Sequence, residues 1–142
     1  MANILVAEDE TAVRQVVVRA LAVAGHEAKA VEDGMQALDA LAADDYDLLL
    51  TDIVMPGLDG IALALKASAA YPHMRILMMS GYAAERQRAH NIEALVHRMI
   101  AKPFTIRELT TAVSETLEAG VASGGVMADS LATRRTAPSL RG

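Results

Sequence analysis

Five polar residues stand where short apolar runs stop. Glu8 and Asp9 follow Ile4-Leu5-Val6-Ala7, Asp52 follows Leu48-Leu49-Leu50-Thr51, Ser80 follows Ile76-Leu77-Met78-Met79, and Lys102 follows Met99-Ile100-Ala101. Three carboxylates brought within a few ångströms of one another repel, and without a cation at least one has its pKa raised. A hard divalent ion relieves that repulsion. Mg²⁺ takes oxygen ligands in octahedral geometry, keeps several waters and combines carboxylates with phosphate oxygens, so this set suits it without any His or Cys. An ammonium and a hydroxyl beside that ion complete a phosphoryl pocket. The metal and Lys102 would neutralise the oxygens, Ser80 would donate to one of them, and Asp52 would be the nucleophile in line with phosphorus.

Each residue has a blander reading when taken singly. A Glu-Asp pair after a strand serves as solvated acid or a helix cap, a serine there forms turns, and a lysine is a surface cation. Asp52 is less ordinary, because an unpaired acid beside a buried strand is costly. Their joint placement favours chemistry. His26, His73, His90 and His97 are scattered without metal-ligand spacing and read as structural or surface residues. The eight Met residues read as core or surface filler.

For the five residues to meet, the runs that precede them must lie side by side. Asn3 to Ala7 reads as a buried strand, Glu27 to Val31 as a half-exposed one, and Leu48 to Thr51 as a central strand covered on both faces. Ile76 to Met79 and Met99 to Ala101 supply two more. Between them, apolar residues recur at helical spacing. The first helix spans Thr11 to Ala24, with Val13, Val16, Val17, Ala20, Leu21 and Ala24 on one side and Gly25 as its cap. Asp33-Gly34-Met35-Gln36 starts a second, with Met35, Leu38 and Leu41 as its stripe. Gly60 to Ala70 is a third, through Ile61, Leu63 and Leu65, and Ala83 to Leu95 a weakly patterned fourth. Thr105-Ile106-Arg107-Glu108 is a capping box for a fifth helix reaching about Ala119. Met55-Pro56-Gly57 must be loop.

Strand and helix thus alternate five times over short connections. That pattern implies an α/β fold, a doubly wound parallel sheet with helices on both faces and right-handed crossovers. In such sheets, ligand sites form outside the carboxyl ends of the strands, where the strand order reverses. The expected organisation is one domain over 1–119 and a flexible or disordered tail over 120–142, where Gly and Ser give way to Arg134, Arg135 and Arg141. The tail arginines read as solvated charge, or as a peptide that binds a partner.

Composition narrows the function classes. With 53% hydrophobic and 22% charged residues among 142, the chain should fold as one globular domain. One Phe and no Trp leave an aliphatic core. A net charge of −5 argues against wholesale adhesion to nucleic acid or anionic lipid. The absence of cysteine excludes disulfides and thiol chemistry. No signal peptide or membrane-length apolar run is apparent, so the cytoplasm is the expected location.

Glu8-Asp9, Thr51-Asp52, Met55-Pro56-Gly57, Ser80-Gly81 and Lys102-Pro103-Phe104 together resemble the signature of receiver domains of two-component response regulators, over about residues 2–119. The resemblance implies the flavodoxin-like (βα)5 fold with strand order 2-1-3-4-5. It implies that Asp52 accepts phosphoryl from a histidine kinase or histidine phosphotransfer protein. Asp9, Asp52 and the Val54 carbonyl would bind Mg²⁺ or Mn²⁺, with Glu8 supporting through water, while Ser80 and Lys102 sense the phosphoryl group. Lys102-Pro103 would have the cis bond that aims the lysine. An aromatic three residues before the lysine usually relays the signal, toward a surface of the fourth helix, fifth strand and fifth helix. Here that position is Met99, so Tyr82, Met99 or the helix around Arg86–His90 is expected to move instead.

The residues after about Ala119 are too few for a DNA-reading helix-turn-helix, which leaves a stand-alone receiver acting through protein partners, as monomer or dimer. No direct DNA binding and no membrane attachment are expected. The wording Leu-Leu-Leu-Thr-Asp-Ile-Val-Met-Pro-Gly-Leu-Asp-Gly-Ile, with Ala-Glu-Asp-Glu and Ser-Gly-Tyr-Ala, is similar to the CpdR group of alphaproteobacteria. That implies priming of the ClpXP protease through ClpX, by the unphosphorylated form, in cell-cycle control. A phosphorelay intermediate that passes phosphoryl to a histidine phosphotransfer protein is the alternative. A Mg²⁺ phosphatase resembling haloacid dehalogenases would carry a second acid two residues after the nucleophile, where this chain has Val54. No turnover of a separate substrate is expected beyond loss of the phosphoryl group from Asp52.

Overall fold

The computed structural model describes residues 1–81 and 96–122. The expected fourth helix, Tyr82, His90 and the tail arginines lie outside the described residues. Five strands form one parallel sheet: β1 (Asn3–Ala7), β2 (Glu27–Val31), β3 (Leu48–Asp52), β4 (Arg75–Ser80) and β5 (Arg98–Ala101). Their order is β2-β1-β3-β4-β5, the doubly wound arrangement expected from the sequence. The chain passes from β1 outward to β2, then returns to place β3 on β1's other side. The reversal therefore falls between β1 and β3, the two strands that carry the acids.

Local chemistry explains the helices α1 (Thr11–Val23), α2 (Gly34–Ala43) and α3 (Gly60–Ala70). Asp33 caps α2 by accepting from the Gln36 amide at 2.8 Å, and Gln36 returns a bond by accepting from the Glu32 amide at 2.9 Å. Asp59 caps α3 through the Ala62 amide at 3.0 Å. Gly25, at φ 96°, ends α1: its amide donates to the Ala22 carbonyl and that of His26 to the Leu21 carbonyl, a Schellman closure. At α4 (Ile106–Ala122), Thr105 and Glu108 exchange both bonds of the expected box, at 2.7 and 3.0 Å. That helix runs to Ala122 rather than Ala119. The chain divides into two units, residues 1–112 and 113–142, and Val113 and Thr116 of the second are buried.

The described core is aliphatic. Leu5, Ala7, Leu49, Ile76 and Met78 from one face of the sheet cluster with Ala37, Ala40 and Leu41 of α2 and Leu63, Ala64 and Ala67 of α3. Truncating a fully buried leucine such as Leu49 to alanine would cost about 2–5 kcal/mol. The helical stripes differ from expectation. Met35 is 57% exposed and Leu65 44% exposed, while Gly34, Ala37, Gly60 and Ala64 face inward. On α1, Val17, Ala20 and Leu21 are buried, but Val16 and the capping Ala24 are exposed. Small residues let α2 and α3 approach the sheet closely, and that rotates the larger side chains outward.

Two histidines fasten strand starts. His26 Nδ1 accepts from the Ala2 amide at 3.1 Å, and His97 Nδ1 accepts from the Ile76 amide at 3.0 Å. Burial lowers both pKa values, aided by the chain's amino terminus at His26 and by Arg75 at His97. A folded pKa held below the ordinary 6.5 means that the unfolded chain takes up protons first on acidification. The histidine contribution is whole above that value and is lost as pH falls through the lowered folded pKa. Urea unfolding midpoints should therefore fall between about pH 7.5 and about pH 5.5, and less so in a His26→Gln/His97→Gln double variant. An equal fall in both proteins would refute the assignment.

Candidate functional site

Register decides which side chains meet. Ala7 pairs with Thr51, so the next residues, Glu8 and Asp52, are neighbours across β1 and β3. Asp52 pairs with Met79 and Ser80 with Ala101, which brings Lys102 to the same rim. A carboxylate oxygen of Glu8, Asp9 and Asp52 each lies within 4.8 Å of the others. Lys102 Nζ donates to Glu8 Oε1 at 2.8 Å and to Asp52 Oδ2 at 2.7 Å. Three carboxylates around one ammonium leave two negative charges unmatched.

Burial sharpens the electrostatics. The Glu8 side chain is fully buried, that of Asp52 is 9% exposed and that of Lys102 21%. Burial pushes the Glu8 carboxyl up from its usual range, against hydrogen bonds from Lys102 and from the Glu10 amide, and the Asp52 charge adds to the rise. At Lys102 burial pulls downward, but hydrogen bonds to Asp52 and Glu8 and their charges outweigh it and hold the ammonium's pKa above its usual value. The lysine is thus fixed as a cation. Asp52 Oδ1 accepts from the Ile53 amide at 2.8 Å, so each Asp52 oxygen already has a donor.

The remaining residues singled out from sequence fall around this pair. Ser80 is fully buried at the end of β4, its carbonyl accepts from the Lys102 amide at 2.7 Å, and its Oγ has no hydrogen-bond partner among the described residues. Val54 and Pro103 line the same cleft as Asp9, Asp52 and Lys102, a space of about 750 Å³ walled by Val13, Val16 and Phe104. The Lys102–Pro103 peptide is cis. Met99 lies away from the acids, partly buried against the core beside Met78. Tyr82 and Arg86–His90 lie outside the described residues.

The donor set fits a hard divalent cation. All its groups are oxygens, three are carboxylates, and no histidine joins them among the described residues. A hydroxyl left unpartnered at the rim suits a further oxygen-rich ligand.

Sequence reading missed two glycines and one arginine. A Cβ on Gly60 would lie 1.9 Å from the Asp52 carbonyl oxygen, and one on Gly34 would lie 2.2 Å from that of Leu58. Both follow an aspartate helix cap, and the repeated Asp-Gly was the available signal. Gly60 also donates its amide to the Ile53 carbonyl at 2.7 Å, tying α3 to the segment that leaves Asp52. Arg14 reaches the turn that holds the two acids, donating to the Glu8 carbonyl at 2.8 Å.

Comparison with known proteins gives a consistent picture. The Response regulator receiver domain family matches residues 4–114. The response regulator receiver protein CpdR of Brucella abortus is 35% identical over 117 residues, spanning 82% of this chain and 98% of its own length. Sensor kinase CckA of the same species is 35% identical over 120 residues, but the match covers only 13% of it. Response regulator FleR of Pseudomonas aeruginosa is 33% identical over 113 residues, and the match covers 24% of it. Among solved structures, response regulator TrrA of Thermotoga maritima in complex with Mg²⁺-BeF has a TM-score of 0.75 with 28% identity, over 82% of this chain and 99% of its own. NtrX of Brucella abortus has a TM-score of 0.78 with 30% identity, over 84% of this chain and 27% of its own.

The Gly60 contact yields a direct test. Gly60→Ala forces a methyl against backbone that cannot rotate away, and should lower stability by about 1–3 kcal/mol in urea unfolding. An unchanged midpoint would show that the Asp52 segment can shift freely.

Proposed function

The chain belongs to the response-regulator receiver domain family of two-component signalling, and we propose that it is a single-domain response regulator phosphorylated on Asp52 that signals by phosphorylation-dependent binding to another protein. The observation that carries this reading is Lys102, held between Asp52 and Glu8 at the sheet's reversal point. In the proposed transfer, an Asp52 carboxylate oxygen bonds to phosphorus as the phosphorus–nitrogen bond of a phosphohistidine donor breaks, and the bonding pair leaves with the imidazole. Mg²⁺ or Mn²⁺, held by Asp9, Asp52 and the Val54 carbonyl with Glu8 in support, would supply positive charge for the phosphoryl oxygens. Lys102 follows the charge onto a phosphoryl oxygen while Glu8 keeps a second of its hydrogens engaged. Ser80 Oγ, buried with no partner among the described residues, donates to another.

The donor is proposed to be a histidine kinase or histidine phosphotransfer protein. The apolar wall of Val13, Val16 and Phe104 beside the acids fits a protein surface carrying the phosphohistidine better than a small phosphoester. Similarity to CpdR over nearly that protein's whole length supports the ClpX unfoldase as effector, bound by the unphosphorylated form. The match to a short segment of a sensor kinase supports a second reading, an intermediate that returns phosphoryl to a histidine. Met99 is the proposed relay, because it packs on Met78 within the strand that leads to Lys102.

Protein mass spectrometry after incubation with acetyl phosphate and Mg²⁺ tests the site. Wild type should gain one phosphoryl group and Asp52→Asn none, and the Met99 methyl NMR signal should shift only in wild type. ClpX should be captured by the unphosphorylated form and released on phosphorylation. An adduct that persists in Asp52→Asn would move the acceptor elsewhere.

A further inference from the structure

Three residues, Glu8, Asp9 and Glu10, separate the end of β1 from the start of α1, and two of them belong to the acidic cluster. Asp9 is exposed, so packing does little to aim its carboxylate, and the backbone beneath it must do so. The helix cap gives little help. Glu10 at the α1 cap position makes no side-chain capping bond, whereas Asp33 and Asp59 cap α2 and α3.

Arg14 holds this turn instead. Its Nη1 donates to the Glu8 carbonyl at 2.8 Å and to the Asp9 carbonyl at 3.4 Å, and its Nη2 donates to Thr11 Oγ1 at 3.3 Å. The Glu8 amide donates to the Val31 carbonyl at 3.1 Å, so the main chain of Glu8 is held by β2 on one side and by Arg14 on the other. A guanidinium suits the task because its donors sit in a rigid planar fork that stays charged.

We propose that Arg14 is a positioning residue for the divalent cation, fixing the Glu8–Asp9 turn so that the Asp9 carboxylate stays in reach of that of Asp52. The proposal rests on the reading of Glu8, Asp9 and Asp52 as a metal site. Charge and positioning predict opposite signs. As a nearby cation alone, Arg14 would repel Mg²⁺, and its removal would tighten binding. As a clamp on the turn, its removal weakens binding.

Calorimetric titration of the full chain with Mg²⁺ decides between them, using wild type, Arg14→Gln, Arg14→Lys and Asp9→Asn, with metal-free thermal unfolding of each as the measure of folding. Arg14→Gln should bind Mg²⁺ roughly ten-fold more weakly than wild type, the scale of outer-sphere support. Arg14→Lys keeps the charge but loses the fork, and should fall between the two. If Arg14→Gln does not fold, weaker binding by Arg14→Lys carries the same conclusion, since charge is unchanged. Binding by folded Arg14→Gln or Arg14→Lys as tight as wild type, or tighter, would overturn the proposal. Equal binding by wild type and Asp9→Asn would instead overturn the metal reading, and this inference with it.

Discussion

The ammonium of Lys102 lies between two carboxylates that the sheet would otherwise bring together with nothing to balance them. Burying one ionised group without a partner is costly, and two like charges at the same rim are worse. Lys102 offsets much of that cost at 2.7 and 2.8 Å, yet the third carboxylate remains. The result is a site stable enough to fold and still deficient in positive charge. That residual deficit is what a divalent cation and a phosphoryl-transfer reaction can use.

Everything else in the described fold serves this juxtaposition. Parallel pairing of β1 with β3 sets Glu8 beside Asp52, and pairing of β4 with β5 delivers Lys102 from the far edge. The helices reach the sheet through Gly and Ala, and Gly60 allows α3 to touch the Asp52 backbone where a methyl group could not fit. The loop after Asp52 is thereby held from behind, while its Val54 side faces the cleft. A site built on strand ends and supported by such close contacts keeps the backbone beneath its acids in register.

The parts of this architecture that were legible in the sequence are those governed by local rules. The unbroken Leu48-Leu49-Leu50 run announces a strand buried on both faces, and the Thr105–Glu108 box forms with both its bonds. The polar residues after the apolar runs mark the strand ends. What the sequence concealed depends on distance between elements. Met35 and Leu65 look like core residues by type, but α2 and α3 pack so closely through Ala37, Ala40 and Ala64 that the bulky side chains turn outward. Arg14 looks like any polar residue on a helix, and only the fold of the turn before it aims the guanidinium at the Glu8 carbonyl. The roles of His26 and His97 were hidden for the same reason, since each accepts from an amide more than twenty positions away.

The central claim is that the Lys102 ammonium is held by Glu8 and Asp52 and that its contacts change with what binds at Asp52. NMR of the lysine side-chain ammonium groups tests it directly, because Lys29, Lys66 and Lys102 are the chain's three lysines. The Lys102 signal should be slow to exchange with water in the resting protein and should shift on addition of beryllofluoride and Mg²⁺, with Lys29 and Lys66 unaffected. A Lys102 signal that exchanges as fast as the other two, or stays unchanged when the phosphoryl mimic is added, would contradict the account.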